Sequence, residues 1–261
     1  MSLHFREAGP AEGPVALLVH GYPNSSYLWR EQLPTIAEAG WRAMAPDLPG
    51  YGDSPLDGPG DWDHHVEALG AFVDEHALAP VVLVAHDWGG LIGLRWACEN
   101  PDAVRGLVLS NTGFFPDGRW HGLALAMRTP GDGEELMRAM TRDALAAALR
   151  SASPRVTDEA IDEYWKGYAD EERRMAQLAL YRSGDFERLE AYEGCLGGLG
   201  VPTLALWGAE DQFAPVAGAH RFAREIPDTR VVALEGVGHF LQEDAPERVA
   251  EEIAGFLRSL G

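Results

Sequence analysis

Short apolar runs alternate with amphipathic helical patterns along most of this chain. Apolar runs predict strands at 15–19, 41–45, 80–84, 104–110, 203–207 and 230–234. Helical spacing of apolar residues predicts helices at about 25–39, 62–76, 91–98, 216–225 and 246–260. Strands that alternate with helices favour an α/β fold, with a mostly parallel sheet covered by helices on both faces.

Residues 113–200 interrupt this alternation. They carry helical patterns throughout and no convincing core strand, with aromatic residues such as Tyr164 and Tyr168 at helical spacing. The stretch is too long for one crossover between neighbouring strands. We therefore expect a core formed by residues 1–112 and 201–261, and a helical lid formed by 113–200 over the strand ends, where open α/β sheets bind ligands.

Composition narrows the class of protein. The chain has 261 residues, 46% of them hydrophobic, and a formal net charge of −20. Such an acidic chain would be repelled by nucleic acid and by anionic membranes, so we expect neither as a partner. It has no predicted signal segment or membrane span. We expect Cys98 and Cys195 to be reduced thiols in a cytoplasmic protein that acts as a monomer or a homodimer.

The most informative residue is Asp87, in the segment His-Asp-Trp-Gly-Gly at 86–90. An apolar strand precedes this turn of small residues and a helical pattern follows, as in a nucleophile elbow. An ionised carboxylate can displace a leaving group from a saturated carbon and become an alkyl ester, which water then hydrolyses. This chemistry suits epoxides or carbon–halogen bonds. The alternative is that Asp87 only caps the following helix.

Two backbone N–H groups are candidates for an oxyanion hole beside Asp87. The segment His-Gly-Tyr-Pro at 20–23 follows the strand at 15–19. In elbow geometry, the N–H groups of Tyr22 and Trp88 would face the nucleophile. The alternative is a plain loop stiffened by proline.

Further candidates follow the strands at 203–207 and 230–234. Glu210 and Asp211 both offer a carboxylate, and we prefer Asp211 because it lies nearer the turn into the next helix. His239 directly follows the glycine-containing segment 236–238, which leaves the backbone free to place the imidazole over the sheet, and it completes the order nucleophile, acid, histidine along the chain.

These motifs make the chain resemble the α/β-hydrolase fold, and within it the epoxide hydrolase and haloalkane dehalogenase families. The best-matched segments lie at 20–23, 47–52, 86–90 and 238–240, and Ala85 stands where the elbow usually has glycine. The resemblance implies that Asp87 is the nucleophile, that Asp211 orients His239, and that His239 activates the hydrolytic water. It implies a small apolar organic substrate plus water, with no cofactor and no metal.

Lid residues should decide between an epoxide and a halide. The segment around Tyr181 is similar to the lid tyrosine segment of epoxide hydrolases, where the phenol assists ring opening. That family usually has a second lid tyrosine nearer the start of the lid. This chain has none there, and His121 could take its place. For a halide, Trp88 and Trp120 could each offer an indole N–H as substrate-binding groups. An aromatic residue at position 22 is more typical of epoxide hydrolases. We therefore predict an epoxide hydrolase that forms vicinal diols, with haloalkane dehalogenase as the alternative.

Other classes fit less well. A non-catalytic or signalling relative would not need the set Asp87, Asp211 and His239, and an esterase would carry serine at the elbow. A fluoroacetate dehalogenase would carry arginine at position 88. A metal site built from His64 and His65 with nearby aspartates is a further alternative, but these residues open a helix and read as solvated polar residues.

Overall fold

The computed structural model describes residues 2–261 and contains one seven-stranded sheet in the order β1-β3-β2-β4-β5-β6-β7. The strands are β1 (Phe5–Ala8), β2 (Val15–Val19), β3 (Arg42–Pro46), β4 (Val81–His86), β5 (Val104–Ser110), β6 (Thr203–Gly208) and β7 (Thr229–Leu234). Strand β1 pairs antiparallel with β3 and every other pairing is parallel. The predicted α/β class is confirmed.

Continuous burial explains the central strands. All residues of β2, β4 and β6 are buried, as expected for parallel strands covered on both faces. Their register aligns Leu17 with Leu83, and Leu83 with Leu107, in the middle of the core. The parallel strands therefore end at a common edge, where the loops after β2, β4, β5 and β6 meet.

Five helices of the core cover the sheet. They are α1 (Gln32–Glu38), α2 (Trp62–Glu75), α3 (Trp88–Glu99), α10 (Ala217–Glu225) and α12 (Pro246–Ser259). Helix α12 begins with proline at its first turn, where a missing N–H costs nothing. It buries one stripe of residues at helical spacing: Val249, Ala250, Ile253, Ala254, Phe256 and Leu257. Helix α12 packs against α1 and α2 packs against α3.

The chain between β5 and β6 is helical, and no strand is assigned there among residues 111–202. It contains α4 (Gly122–Arg128), α5 (Asp132–Ala139), α6 (Arg142–Ala152), α7 (Asp158–Trp165), α8 (Glu171–Ser183) and α9 (Cys195–Gly198). Side chains of Thr141, Thr157 and Asp170 cap the first backbone N–H groups of α6, α7 and α8. The short helix α11 (Leu241–Asp244) lies in the core after β7.

A hydrogen bond from Tyr164 to an ion pair of the core joins this helical segment to the core. Arg30 donates to both carboxylate oxygens of Glu243, over 2.9 and 2.8 Å. Tyr164 of α7 donates its hydroxyl hydrogen to the same carboxylate over 2.5 Å. The packing of α7 on the core therefore depends on a charge that is fully hydrogen-bonded.

The prediction of two reduced thiols is wrong. Cys98 near the end of α3 and Cys195 at the start of α9 form a disulfide, with their Cα atoms 5.8 Å apart. They are 97 residues apart in sequence, but the chain returns from the helical segment beside α3. The cytoplasmic assignment loses the support it drew from these thiols. Over residues 2–261, no helix combines the length and the apolar character needed to cross a bilayer.

Candidate active site

Asp87 lies on a sharp turn between β4 and α3, with φ of 52° and ψ of −125°. Positive φ is strained for a residue with a side chain, and such strain clusters at functional sites. Glycines at 21 and 89 allow the turn and the segments around it to pack closely. A Cβ atom on Gly21 would collide with the Asp87 carboxylate, and one on Gly89 would collide with the backbone of β2.

The carboxylate of Asp87 does not cap α3, contrary to the alternative interpretation. Its Oδ1 instead accepts a hydrogen bond of 2.7 Å from the backbone N–H of Tyr22. The backbone N–H of Trp88 also favours the ionised form of this carboxylate and helps to lower its pKa. The two N–H groups expected from the sequence thus act on one side chain.

The other oxygen of Asp87 faces an imidazole that is held by a second carboxylate. His239 Nε2 lies 3.5 Å from Asp87 Oδ2, and His239 Nδ1 lies 2.7 Å from Asp211 Oδ2. Asp211 is buried, and its Oδ1 accepts a 2.7 Å hydrogen bond from the backbone N–H of Phe213. Glu210, the other carboxylate considered, is exposed. The loops after β4, β6 and β7 therefore bring Asp87, Asp211 and His239 together.

Asn111 is a functional candidate to which the sequence analysis gave no role, although the segment 110–113 resembles a subgroup of haloalkane dehalogenases. It follows β5 with φ of 44°, is fully buried, and donates from Nδ2 to Asp211 Oδ2 over 2.5 Å. Its Oδ1 accepts a 3.0 Å hydrogen bond from the N–H of Gly208. Asn111 therefore holds the Asp211 carboxylate in position, and that carboxylate in turn holds the His239 imidazole. A polar residue directly after an apolar strand was the available signal.

His86 holds the backbone of His239 in place. It is buried and its Nε2 lies 2.9 Å from the backbone carbonyl oxygen of His239, which accepts its hydrogen. Burial, followed by the charge of His239, lowers the pKa of His86 to about 4. His86 is therefore neutral at ordinary pH and holds the His239 backbone without adding charge.

The three central groups hold one another in charged forms. Burial alone would raise the pKa of Asp87, but the hydrogen bond and charge of His239 outweigh it, and the pKa lies below its ordinary value. Asp211 behaves in the same way, with His239 and Asn111 as partners. For His239, burial lowers the pKa, but Asp211 and Asp87 raise it from 6.5 to about 10.

Aromatic side chains form the wall beside the carboxylate. The indoles of Trp88 and Trp120 stack with centroids 5.5 Å apart, and the Tyr181 ring meets Trp88 edge-on at 5.2 Å. Burial, then the Asp87 carboxylate, raises the pKa of Tyr181 well above its ordinary value. Tyr181 therefore keeps its phenolic hydrogen.

His121 lies at the start of α4 and also borders the site. Its Nδ1 accepts from the N–H of Ala124 over 3.4 Å, and its ring meets Phe213 edge-on at 4.9 Å. Burial lowers its pKa, although Asp87 opposes this effect. Both early residues of the helical segment, Trp120 and His121, thus reach the cavity above Asp87.

Two cavities open from the central residues. The first, of about 260 Å³, is walled by Trp88, Trp120 and Phe186, with Arg119 at its rim. The second, of about 320 Å³, extends between α4, α5 and α6. Both are lined by the same five residues where they meet: Asp87, His121, Tyr181, Phe213 and His239. A small organic molecule bound there would lie against the Asp87 carboxylate.

The residues considered for a metal have other partners. Asp61 caps α2 by accepting from the N–H of His64, and Asp63 pairs with Arg95 and Arg188. His65 is buried in the core. These contacts account for the polar residues at the start of α2 as parts of the structure.

The fold and site together define a class of protein. The chain belongs to the α/β-hydrolase family, whose model matches residues 14–246. Within that family it lies in the branch of haloalkane dehalogenases and epoxide hydrolases, and it is a hydrolase.

Particular relatives narrow the resemblance. A haloalkane dehalogenase of Mycobacterium marinum is 34% identical over 97% of this chain and 88% of its own. The crystal structure of haloalkane dehalogenase DbeA from Bradyrhizobium elkani has a TM-score of 0.86 and 29% identity, covering 100% of this chain and 97% of that one. Epoxide hydrolase VrEH1 from Vigna radiata shares the fold, with a TM-score of 0.83 and 23% identity over 98% of this chain and 94% of its own.

Proposed function

We propose that this hydrolase is a haloalkane dehalogenase that acts through an alkyl ester of Asp87. The observation that carries the proposal is the ionised Asp87 carboxylate, which lies on the elbow with the His239 imidazole 3.5 Å away. Curated relatives named haloalkane dehalogenase, at 28–34% identity over nearly the whole chain, favour a halide over an epoxide. This reverses the order of preference expected from the sequence.

In the first step, an oxygen of Asp87 attacks the carbon that bears the halogen. The new carbon–oxygen bond forms as the carbon–halogen bond breaks, and the halide leaves with the electron pair. Trp88 and Trp120 line the cavity beside Asp87, and we assign their indole N–H groups to the departing halide. Tyr181, held protonated, is a third donor at the same wall.

In the second step, water attacks the carbonyl carbon of the ester. His239 takes a proton from that water at Nε2, while Asp211 holds Nδ1. The N–H groups of Tyr22 and Trp88 stabilise the oxyanion. Collapse of the tetrahedral intermediate breaks the ester bond, and the alkoxide takes the proton and leaves as an alcohol. Residues 113–200 would act as the lid that shields these steps from bulk water.

Epoxide hydrolysis is the second candidate, and Tyr181 is the observation that favours it. An epoxide oxygen stays attached to the carbon skeleton and needs a proton as the ring opens. The buried phenol of Tyr181 can supply it, with His121 in the same cavity as a second donor. The steps at Asp87 and His239 would be the same, and the product would be a vicinal diol.

Trapping of the ester tests the shared chemistry. In His239→Gln the first step should proceed and the second should stall, so incubation with 1-bromohexane should add one hexyl group to the intact mass. Asp87→Ala is the matched control and should show no adduct. An adduct that persists in Asp87→Ala would sink the proposed nucleophile.

A pair of substrates tests the choice between the two activities. We expect bromide release from 1-bromohexane at a higher kcat/KM than diol formation from styrene oxide. Replacement of Tyr181 by Phe should slow epoxide opening severely, since His121 is then the one remaining donor of the proposed pair, but should reduce bromide release by about tenfold or less, because the indoles remain. Rapid diol formation without bromide release would replace the dehalogenase by the epoxide hydrolase.

A further inference from the structure

The two cavities differ in chemical character although they share their central residues. The smaller one is aromatic, with Trp88, Trp120 and Phe186 in its walls and the polar groups of Asn111 and Arg119 at its edges. The larger one is aliphatic, with side chains such as Leu136, Met140, Leu145 and Leu149 from α5 and α6. The site therefore offers two unlike surfaces to one bound molecule.

Three rings in a row line both cavities where they meet. His121 meets Phe213 edge-on at 4.9 Å, and Phe213 meets His239 edge-on at 5.2 Å. Asp87 and His239 line both cavities, so the carbon that Asp87 attacks has open space on two sides. A substrate with a reactive terminal carbon needs space for its chain on one side only.

The volume of the aromatic cavity decides what it can hold. A halide ion is comparable in size to a water molecule, which occupies about 30 Å³ in the liquid. The aromatic cavity has about 260 Å³. The departing halide alone would therefore leave most of this space empty, beside apolar rings that gain from contact with carbon.

From this geometry we infer that the enzyme selects substrates whose electrophilic carbon is internal. One substituent would extend into the aliphatic cavity between α4, α5 and α6, and the other, with the leaving group, into the aromatic cavity. The inference rests on the proposed function, since it assigns the substrate class of that same site. For haloalkanes it predicts secondary halides, and for epoxides it predicts rings substituted on both carbons.

Blocking one cavity at a time tests the inference. Gly113 lines only the aromatic cavity, and a Cβ there would meet no atom within 4 Å, so Gly113→Leu fills the cavity without a backbone clash. Ala148 lines the aliphatic cavity and is exposed, so a larger side chain has room there and Ala148→Leu is the matched variant. The substrates are 1-bromohexane and 3-bromohexane, which have the same composition.

We expect Gly113→Leu to reduce kcat/KM for 3-bromohexane relative to 1-bromohexane by about tenfold or more, the effect of a misfitted group of this size in an apolar pocket. Ala148→Leu should reduce kcat/KM for both isomers, because either one needs the aliphatic cavity. The kcat/KM of each isomer is compared between wild type and variant, so the lower intrinsic reactivity of a secondary halide does not affect the comparison.

An equal effect of Gly113→Leu on both isomers would overturn the inference. So would a slower release of bromide with unchanged selectivity, because the aromatic cavity would then be only a path for water and halide. Adduct formation in His239→Gln distinguishes failure of this inference from failure of the proposed function. Adduct formation with no isomer discrimination refutes only the substrate class, whereas no adduct with either isomer refutes the proposed function.

Discussion

The protonation of His239 should depend on whether Asp87 carries its negative charge. Burial lowers the pKa of His239, but the carboxylates of Asp211 and Asp87 raise it from 6.5 to about 10. At neutral pH the free enzyme therefore holds an imidazolium, which cannot take a proton from water. In the proposed reaction, formation of the alkyl ester would make Asp87 neutral, and the imidazole would then become available as a base.

The size of this effect follows from two distances. His239 lies 2.7 Å from Asp211 and 3.5 Å from Asp87. Scaling by inverse distance gives the Asp87 pair a little under half of the combined attraction. Loss of the Asp87 charge should therefore lower the pKa of His239 by about 1.5 or more, from about 10 to about 8.5 or below. Asp87→Asn reproduces this loss, since it keeps the shape of the side chain and removes the charge.

An NMR titration of the His239 ring in wild type and Asp87→Asn measures the effect directly. Glu210→Gln is the control, because it removes one negative charge next to Asp211 from an exposed side chain and leaves the ion pairs of His239 with Asp211 and Asp87 in place. We expect the pKa of His239 to fall in Asp87→Asn and to change little in Glu210→Gln. The same pKa in wild type and Asp87→Asn would refute the coupling.

The raised pKa of His239 also sets the pH dependence of stability. A group whose pKa is higher in the folded state stabilises the fold fully below its unfolded pKa. His239 should therefore contribute its full stabilisation below pH 6.5 and lose it as the pH rises to about 10. Urea unfolding at a series of pH values should show this decline in wild type and a smaller one in Asp87→Asn. Stability that rises over this range would contradict the assignment.

Three further variants probe the supports of the site. Cys98→Ser should lower the free energy of unfolding by up to about 4.7 kcal/mol, the chain-entropy value for a closed loop of this length, because the disulfide to Cys195 spans 97 residues. Urea titration with and without reductant measures this loss. Two free thiols in unreduced wild type would refute the disulfide. Arg30→Met should cost about 3–5 kcal/mol, because it leaves the buried Glu243 carboxylate without its cation, and adding Glu243→Gln should recover part of that loss in the same assay. Asn111→Ala should cost about 1–3 kcal/mol, because it leaves a buried backbone N–H without an acceptor, and it should slow ester hydrolysis in single-turnover experiments, whereas an unchanged rate would make Asn111 purely structural.

Most of the fold could be predicted from the sequence because buried parallel strands are continuous apolar runs. Six of the seven strands lie where such runs predict them, within one or two residues at their ends. Strand β1 was missed because Phe5–Ala8 includes Arg6 and Glu7 and is only partly buried. An antiparallel edge strand needs only one buried face, and four residues are too few to display an alternation.

The site was predictable where it depends on strand ends and not where it depends on the path of the chain. Asp87, Asp211 and His239 each follow a strand, and parallel strands end at one edge of the sheet. Asn111 acts across 100 positions on Asp211, and the two cysteines meet across 97. Contacts of this kind depend on the order of strands and on how the helical segment returns, which local patterns do not encode.

The negative charge of Asp87 acts on two groups that line the cavities beside it. It raises the pKa of His239 and, after burial, that of Tyr181. In the proposed reaction this charge moves to the leaving group as the ester forms, so the pKa of His239 should fall in the same step. His239 would then be able to accept a proton from water, while Tyr181, still beside a negative charge, would keep its phenolic hydrogen and donate a hydrogen bond to the new anion. The response of His239 needs no movement of the protein, because it follows from a fixed distance to one carboxylate. Asp87 would therefore time the hydrolytic step as well as begin the reaction.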